Sequence, residues 1–415
     1  MKFLVLILLI SMISSLYSQS DYLDYSDIDS YVLNTPSKVE NNIQSLASYL
    51  IKPARTEREK VRALYRWVTE NINYDVQSYL MKQNKQRSIQ QILSERNTVC
   101  DGYSRLMVEL AKAVDIEMVQ VIGYSKGYDY KIGDRFNDNP NHAWNAVKIN
   151  GRWYLLDVTW GAGYIDEDNR FIKRFQDHYF LTPPESFILD HLPQDERWQL
   201  IDQPITLKEF ENGLFLRPAF FQYGLSVKNQ YKNTLDVYNE TKIEFYTPDN
   251  VSLIAQLFQD ENPFPEYLTF GQRKSGQFKI DVQIPKSGEY ILRIYAKKMD
   301  NSLKFDWVSD YRIEASGGKG KSAGFPFTYA TFVNQNVYLY EPLNRYLPAG
   351  HDQKFKIFIP GAKEAAVKVN DEWIFLEGQG NLFEGYVPIK QGTVQVLARF
   401  NEGNQFGALL DYIGQ

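Results

Sequence analysis

This sequence predicts an α+β fold followed by all-β modules, and three observations carry the prediction. Apolar residues recur at helical spacing between residues 41 and 115. The period switches to two beyond Glu117, the alternation of half-buried strands. Past Pro204, short alternating runs divided by Gly, Pro, Asn and Asp replace both patterns. Expected, therefore, are N-terminal helices packed on an antiparallel sheet over 20–203, then two immunoglobulin-like sandwiches at 204–315 and 325–415.

The elements follow in order. Residues Asp21 to Ser37 are polar and acidic and read as a lead-in. In "TEREKVRALYRWVTENI", Val61, Leu64, Tyr65, Val68 and Ile72 place one apolar stripe on a helix, and Thr56 with Glu59 matches a capping box. A second, short helix is expected at Ser88 to Glu95, and a third beginning near Cys100 with Leu106, Leu110 and Val114 on one face. "EMVQVIGY" (Glu117 to Tyr124), "HAWNAVKI" (His142 to Ile149) and "RWYLLDVTW" (Arg152 to Trp160) read as strands, the last two joined at Asn150-Gly151, a two-residue hairpin signal. Beyond Pro204 no long helix is expected, and the glycine-rich "EASGGKGKSAGFP" (Glu314 to Pro326) reads as a linker. The halves on either side of it echo each other: "QFKIDVQIPKSGEYILRI" and "LFEGYVPIKQGTVQVLA" share a Phe, an alternating strand, a Gly turn and a second strand. Modules of about 100 residues fit each half, immunoglobulin-like in layout only because neither contains cysteine.

Length and composition bound the function. A chain of 415 residues exceeds one ordinary core and fits two to three domains. Its 44% hydrophobic and 23% charged residues are those of a globular protein, and a net charge of −5 argues against a polyanion binder, so no nucleic-acid partner is expected. The 29 Tyr, 25 Phe and 7 Trp suit sheet-rich structure or contacts with carbohydrate and peptide. "MKFLVLILLISMISSLYSQS" has a positive start at Lys2, an apolar run from Phe3 to Ile13, and small residues for cleavage at Ser18 or Ser20. It reads as a signal peptide over 1–19, too short for the roughly 20 residues of a membrane span. No cysteine follows it to carry a lipid anchor. The mature chain is expected to be secreted or otherwise extracytoplasmic, periplasmic or extracellular, without a transmembrane segment.

Cys100 is the only cysteine, so in an oxidising compartment it has no disulfide partner within the chain. Its place at a helix start aims main-chain amides at the sulfur, which favours a thiolate. A functional thiolate needs a base, and the base an orienting acceptor. Only four histidines exist: His142, His178, His191 and His351. Counting outward from the Asn150-Gly151 turn, His142 and Asp157 lie nearly opposite each other at the far end of the hairpin, and a register slip of one would separate them by face. Cys100, His142 and Asp157 are thus the candidate catalytic residues. The bland readings stand beside this one: a lone cysteine packs in a core, and Asp157 ends a strand. His191 and His351 fall in loop contexts. No metal or cofactor site is expected: no Cys/His pair has ligand spacing, and "DEDN" (Asp166 to Asn169) lacks the rest of a calcium loop and reads as a solvated turn. Asn239 and Asn250 head glycosylation sequons, relevant only on a eukaryotic secretory route.

Three stretches, "TVCDGYSRLMVELAKAVDIEMVQVIGYSKG", "NHAWNAVKINGRWYLLDVTWGAG" and "DHYFLTPPESFILDHLPQDERWQLI", resemble the transglutaminase-like superfamily, most of all its kyphoscoliosis peptidase branch. The resemblance covers about residues 57 to 210. It implies a papain-like core whose nucleophile, base and orienting carboxylate correspond to Cys100, His142 and Asp157, all three matching the pattern. It also implies acyl transfer from a protein or peptide amide to water, as in a peptidase or amidase, or to a lysine amine, as in a transglutaminase. Members without the cysteine serve as scaffolds, which leaves a non-catalytic binding protein at the cell surface or matrix as the alternative. Trp144 and Trp160 line an acyl tunnel or belong to the core. His178, in "QDHYFLT", reads as structural, in a strand and satisfied by a neighbour. The calcium requirement of animal transglutaminases belongs to another branch and is not implied. The sandwiches would position substrate or dock on a cell-surface or matrix partner.

Overall fold

The computed structural model describes residues 24–82, 86–300, 304–401, 403 and 405–415, and the signal expected at 1–19 lies outside them. The chain divides into two compact units, one ending at Phe215 and one running from Leu216 to Gln415.

In the first unit, the helix Glu57–Asn71 starts on the expected capping box. Glu59 N donates to Thr56 Oγ1 at 3.1 Å, and Thr56 N donates to Glu59 Oε2 at 3.0 Å. Its stripe of Val61, Leu64, Tyr65 and Val68 is buried in one core with Leu106, Met107 and Leu110 of the helix Cys100–Lys112. Each such side chain taken out of water contributes about 1.5–3 kcal/mol. The polar segment after Asp24 is more than a lead-in. It forms the helix Ser26–Leu33, which sends Ile28 and Val32 into the same core. Asp29 of that helix pairs at 2.7 Å with the buried Arg62, which also reaches Asp177 and lies over the Tyr25 and Phe180 rings at 4.8 and 5.0 Å. A single buried pair four residues apart is too little apolar signal to overcome the acidic composition around it.

Beside the helices lies a four-stranded antiparallel sheet in the order Arg152–Leu156, His142–Ile149, Met118–Ser125, His191–Pro193. Asn150 and Gly151 take φ of 49° and 78°, the doubly positive geometry that this two-residue hairpin demands. The stretch from Arg152 to Trp160 is not one strand. Pairing stops at Leu156, and Asp157 turns the chain into the short helix Val158–Ala162 by accepting from the Thr159 and Trp160 amides at 2.7 and 3.1 Å. An aspartate in that role satisfies the orphan donors of a helix start, which strand periodicity does not reveal.

The second unit contains two sandwiches of one topology. In the first, a sheet of Ser226–Val227, Glu240–Tyr246, Gln277–Gln283 and Thr269–Lys274 faces a sheet ordered Thr234–Val237, Asp306–Ala315, Gly288–Lys298, Val251–Gln259, Asn262–Pro263. In the second, Tyr338–Glu341, Asp352–Phe358, Leu382–Pro388 and Glu377–Gln379 repeat the smaller sheet. Gly407–Gly414, Gly392–Arg399, Glu364–Val369 and Glu372–Phe375 repeat the larger. Even the parallel edge contact recurs, Thr234–Val237 on Asp306–Ala315 and Tyr346–Leu347 on Gly407–Gly414. The echoing stretches occupy equivalent strands, Gln277–Gln283 with Gly288–Lys298 and Leu382–Pro388 with Gly392–Arg399.

The glycine-rich stretch between the sandwiches is not slack. A Cβ at Gly318 would lie 2.5 Å from the Lys286 nitrogen, so the glycine permits backbone to press on backbone. Phe325 is buried among the second sandwich's residues, stacked on Phe270 of the first at 5.6 Å. Among the described residues, no helix is long and apolar enough to cross a membrane.

Candidate active site

Cys100 opens the thirteen-residue helix Cys100–Lys112, with Val99 as an extended N-cap that offers no side-chain cap. The first-turn amides therefore point past the sulfur without a capping oxygen in front of them, and the thiol is partly exposed. The residues after it anchor the helix start. Gly102 lets the helix close on Thr98, since a Cβ there would sit 2.0 Å from Thr98 Oγ1. The Tyr103 hydroxyl donates to the Ile72 carbonyl at 2.5 Å, and Ser104 Oγ donates to the Asp101 carbonyl at 3.0 Å. Gln120 Nε2, from the neighbouring strand, donates to Ser104 Oγ at 2.7 Å and to Asp101 Oδ1 at 3.1 Å.

His142 begins its strand opposite Gly123, with its ring buried. Its Nε2 lies 2.7 Å from Asp157 Oδ2, and its imidazole also engages the Cys100 side chain. Because Nε2 is committed to the carboxylate, Nδ1 is the ring nitrogen left for sulfur. Burial on its own would strip the ring of its proton, but Asp157 and then Cys100 outweigh it and push the histidine up to about 10. Burial of Asp157 favours its neutral form, yet His142 foremost, and His191 after it, hold the carboxyl well below the usual carboxylate range. The structure thus brings Cys100, His142 and Asp157 together as one contiguous chain.

His191 is the residue that sequence reasoning passed over. It is not in a loop: it starts the three-residue strand His191–Pro193, opposite Ser125, and its side chain is fully buried. Directly opposed residues on antiparallel strands share a face, so His142 (opposite Gly123) and His191 (opposite Ser125) flank the central strand on one side of the sheet. His191 Nε2 meets Asp157 Oδ2 at 3.0 Å and its Nδ1 meets Asp190 Oδ1 at 2.6 Å. A three-residue strand has too few positions to display a period, which is why composition gave no signal there. Ligand atoms of His142, Asp157 and His191 all lie within 4.8 Å of one another, a spacing that could hold a cation. The two contacts to Asp157 Oδ2 are nevertheless hydrogen-bond distances, and a cation there would displace the protons that make them. We read the group as a proton-sharing chain.

Aromatic rings dry the site. Trp160 lies 5.3 Å from the His142 ring and 4.3 Å from the His191 ring, while Phe187 stacks on His191 at 4.1 Å. Of the two tryptophans, Trp144 is core, only 1% exposed, and Trp160 is half-buried beside both imidazoles. His178 sits in the 3-10 turn Asp177–Tyr179, not in a strand, and burial pushes it down to about 4, so it is neutral. His351 is exposed in the second unit. The Asp166 turn is closed by its own carboxylate, which accepts from Asp168 N and Arg170 N at 3.1 and 2.8 Å.

A family model described as the transglutaminase-like superfamily matches residues 44–158, which include Cys100, His142 and Asp157. A model described as a KY-like, immunoglobulin-like domain matches residues 207–326. The chain is 26% identical to kyphoscoliosis peptidase of Mus musculus, over 84% of this chain and 70% of that protein. Its identity to kyphoscoliosis peptidase of Homo sapiens is 25%, over 90% and 74%. Hillarin of Drosophila melanogaster is 30% identical over 51% of this chain and 27% of its own length.

Proposed function

The chain belongs to the transglutaminase-like superfamily, in the branch of kyphoscoliosis peptidase, and from that premise we propose that it is a cysteine enzyme acting on amide bonds of protein or peptide substrates through a Cys100 acyl-enzyme. One observation carries this reading: the only thiol of the chain stands at an uncapped helix start beside an imidazole that a buried carboxylate holds by a 2.7 Å hydrogen bond.

The Cys100 sulfur, its proton on His142, attacks the amide carbonyl carbon, and the carbonyl electron pair moves to oxygen. First-turn amides of the Cys100 helix face the developing oxyanion, and the positive end of the helix favours that charge. Collapse restores the carbonyl and breaks the C–N bond, and the leaving amine takes the proton from the His142 imidazolium. A thioester on Cys100 remains. Water or a primary amine then attacks it, passing a proton to His142, and the sulfur leaves as thiolate. Asp157 keeps the ring aimed and stabilises its cation throughout. Water as acceptor makes the enzyme a peptidase or amidase, and an amine makes it an acyltransferase. The sandwich tandem is assigned the holding of substrate or of a cell-surface or matrix protein, and export is proposed from the leader-like first 19 residues.

A peptide carrying an electrophilic amide mimic tests the reading, with Cys100→Ala as control and mass spectrometry as readout. We expect an adduct on Cys100 formed much faster than on a free thiol. A glutamine-donor protein with a labelled amine, run beside a peptide-cleavage screen, then separates transfer from hydrolysis. Labelling no faster than a free thiol would overturn the enzymatic reading in favour of a scaffold.

A further inference from the structure

Beyond the three residues above, the site holds a second buried imidazole with a carboxylate at each nitrogen. A neutral imidazole has one donor and one acceptor, whereas an ionised carboxylate only accepts. With His191 neutral, one of its two contacts, 2.6 Å to Asp190 or 3.0 Å to Asp157, would set lone pair against lone pair, out of reach of water. With both carboxylates ionised two donors are required, and only the imidazolium has them.

We propose that His191 is a positioning residue, a doubly protonated imidazole bridging Asp157 and Asp190 that locks the Asp157 carboxylate in the orientation His142 needs. Its role in turnover rests on the cysteine-enzyme reading; its protonation state does not. With His191 in place, Asp157 accepts from four groups: Thr159 N at 2.7 Å and Trp160 N at 3.1 Å on Oδ1, His142 at 2.7 Å and His191 at 3.0 Å on Oδ2. Tilting that carboxylate out of this plane breaks contacts on both of its oxygens. The His191 ring is itself immobilised, stacked on Phe187 and flanked by Trp160 and by the edge of Trp144 at 5.1 Å.

The charged and titratable groups around it are consistent. Asp190 also accepts from the Tyr179 hydroxyl at 3.2 Å. His178 faces the pair from the Asp177–Tyr179 turn and is neutral. Lys126, which follows the central strand, faces Asp190 across the buried interior and donates its backbone N–H to the Asp190 carbonyl at 3.0 Å. His142 lies 5.5 Å away, ring to ring. Burial pulls against a proton on His191, and Asp190 and Asp157 more than restore it, leaving the ring above the usual histidine range. A cation at this place has a use. It opposes part of the pull of Asp157 on the His142 proton, which the reaction must surrender to a leaving amine.

The test has two arms on the full chain. In wild-type protein with 15N-labelled histidine, four imidazoles are observed and His191 is assigned through the His191→Gln spectrum. Both of its ring nitrogens are expected to stay protonated from mildly acid to mildly alkaline pH, and a neutral tautomer in that range overturns the proposal whatever Cys100 does. In the second arm, glutamine places an amide near the Nε2 position and keeps a donor on Asp157, whereas asparagine places one near Nδ1 and serves only Asp190. Both remove the charge, so both should shift the alkaline limb of the pH–rate profile upward by raising the proton affinity of His142. His191→Asn should in addition lower kcat/KM at least about tenfold more than His191→Gln, the scale set by a lost supporting hydrogen bond in a reacting site. Equal losses in the two variants with an unmoved pH profile would make His191 a structural residue and refute the proposal. If neither variant folds, the spectrum of the wild-type chain still decides it.

Discussion

Replacing Asp157 by Asn probes the electrostatic centre of the site. The change keeps size and one acceptor oxygen but removes the charge. If that oxygen stays on the Thr159 and Trp160 amides, the new NH2 group faces the two ring N–H donors of His142 and His191. If the amide flips, the helix Val158–Ala162 loses its cap, at about 1 kcal/mol. The magnitude follows from His142, which sits at about 10 in place of its usual 6.5. At about 1.4 kcal/mol per pH unit, the whole stabilisation of that imidazolium is roughly 5 kcal/mol, with Asp157 the largest favourable contributor. Loss of most of it corresponds to about 10³–10⁴ in rate, the size seen when the aspartate of a serine-protease triad is changed in the same way. Two measurements check this: NMR titration of His142, and the rate at which Cys100 is acylated by an activated amide mimic. In the variant His142 should titrate at or below its usual 6.5, and acylation should slow about a thousandfold. A His142 titration that does not move, or a rate loss below about tenfold, would refute the assignment of Asp157 as the group that holds the proton on His142.

Two further predictions concern stability. His142 has a raised folded pKa, so its contribution is complete below 6.5 and fades as pH climbs through about 10. Lys126 has a folded pKa lowered to about 7 from 10.5 by burial, so its ammonium opposes folding at neutral pH and that cost disappears as pH rises. The two slopes oppose each other over nearly the same window. Lys126→Met removes the rising slope, so in urea denaturation it should lose up to roughly 5 kcal/mol relative to the wild type between neutral pH and about 10. Parallel pH curves for the two proteins would contradict this. Gly102→Ala puts a Cβ 2.0 Å from Thr98 Oγ1 and 2.9 Å from Thr98 Cβ. It should cost about 1–3 kcal/mol by thermal unfolding and recover part of that in a Thr98→Ala background. Strictly additive costs would show that the two residues do not compete for the same space.

The candidate site was largely legible because its chemistry is scarce. One cysteine and four histidines leave few combinations, and a hairpin pinned by Asn150-Gly151 delivers His142 and Asp157 to its far end. The Glu57–Asn71 helix was readable because its cap and its stripe agree. Legibility failed where tertiary context overrides local pattern. Asp157 caps a helix inside what reads as an unbroken strand. Ser26–Leu33 is helical although only Ile28 and Val32 are buried in it. His191 owes its place to pairing with Ser125, a partner distant in sequence, on a strand too short to advertise itself.

Phe325 turns the glycine-rich stretch from a tether into a rivet. Freeing that segment means first drawing Phe325 away from Phe270 and out of the second sandwich's interior. A protease that cuts exposed, mobile chain should leave it intact as long as both sandwiches stay folded. Tension applied along the tandem should meet one stiff strut instead of two beads on a string.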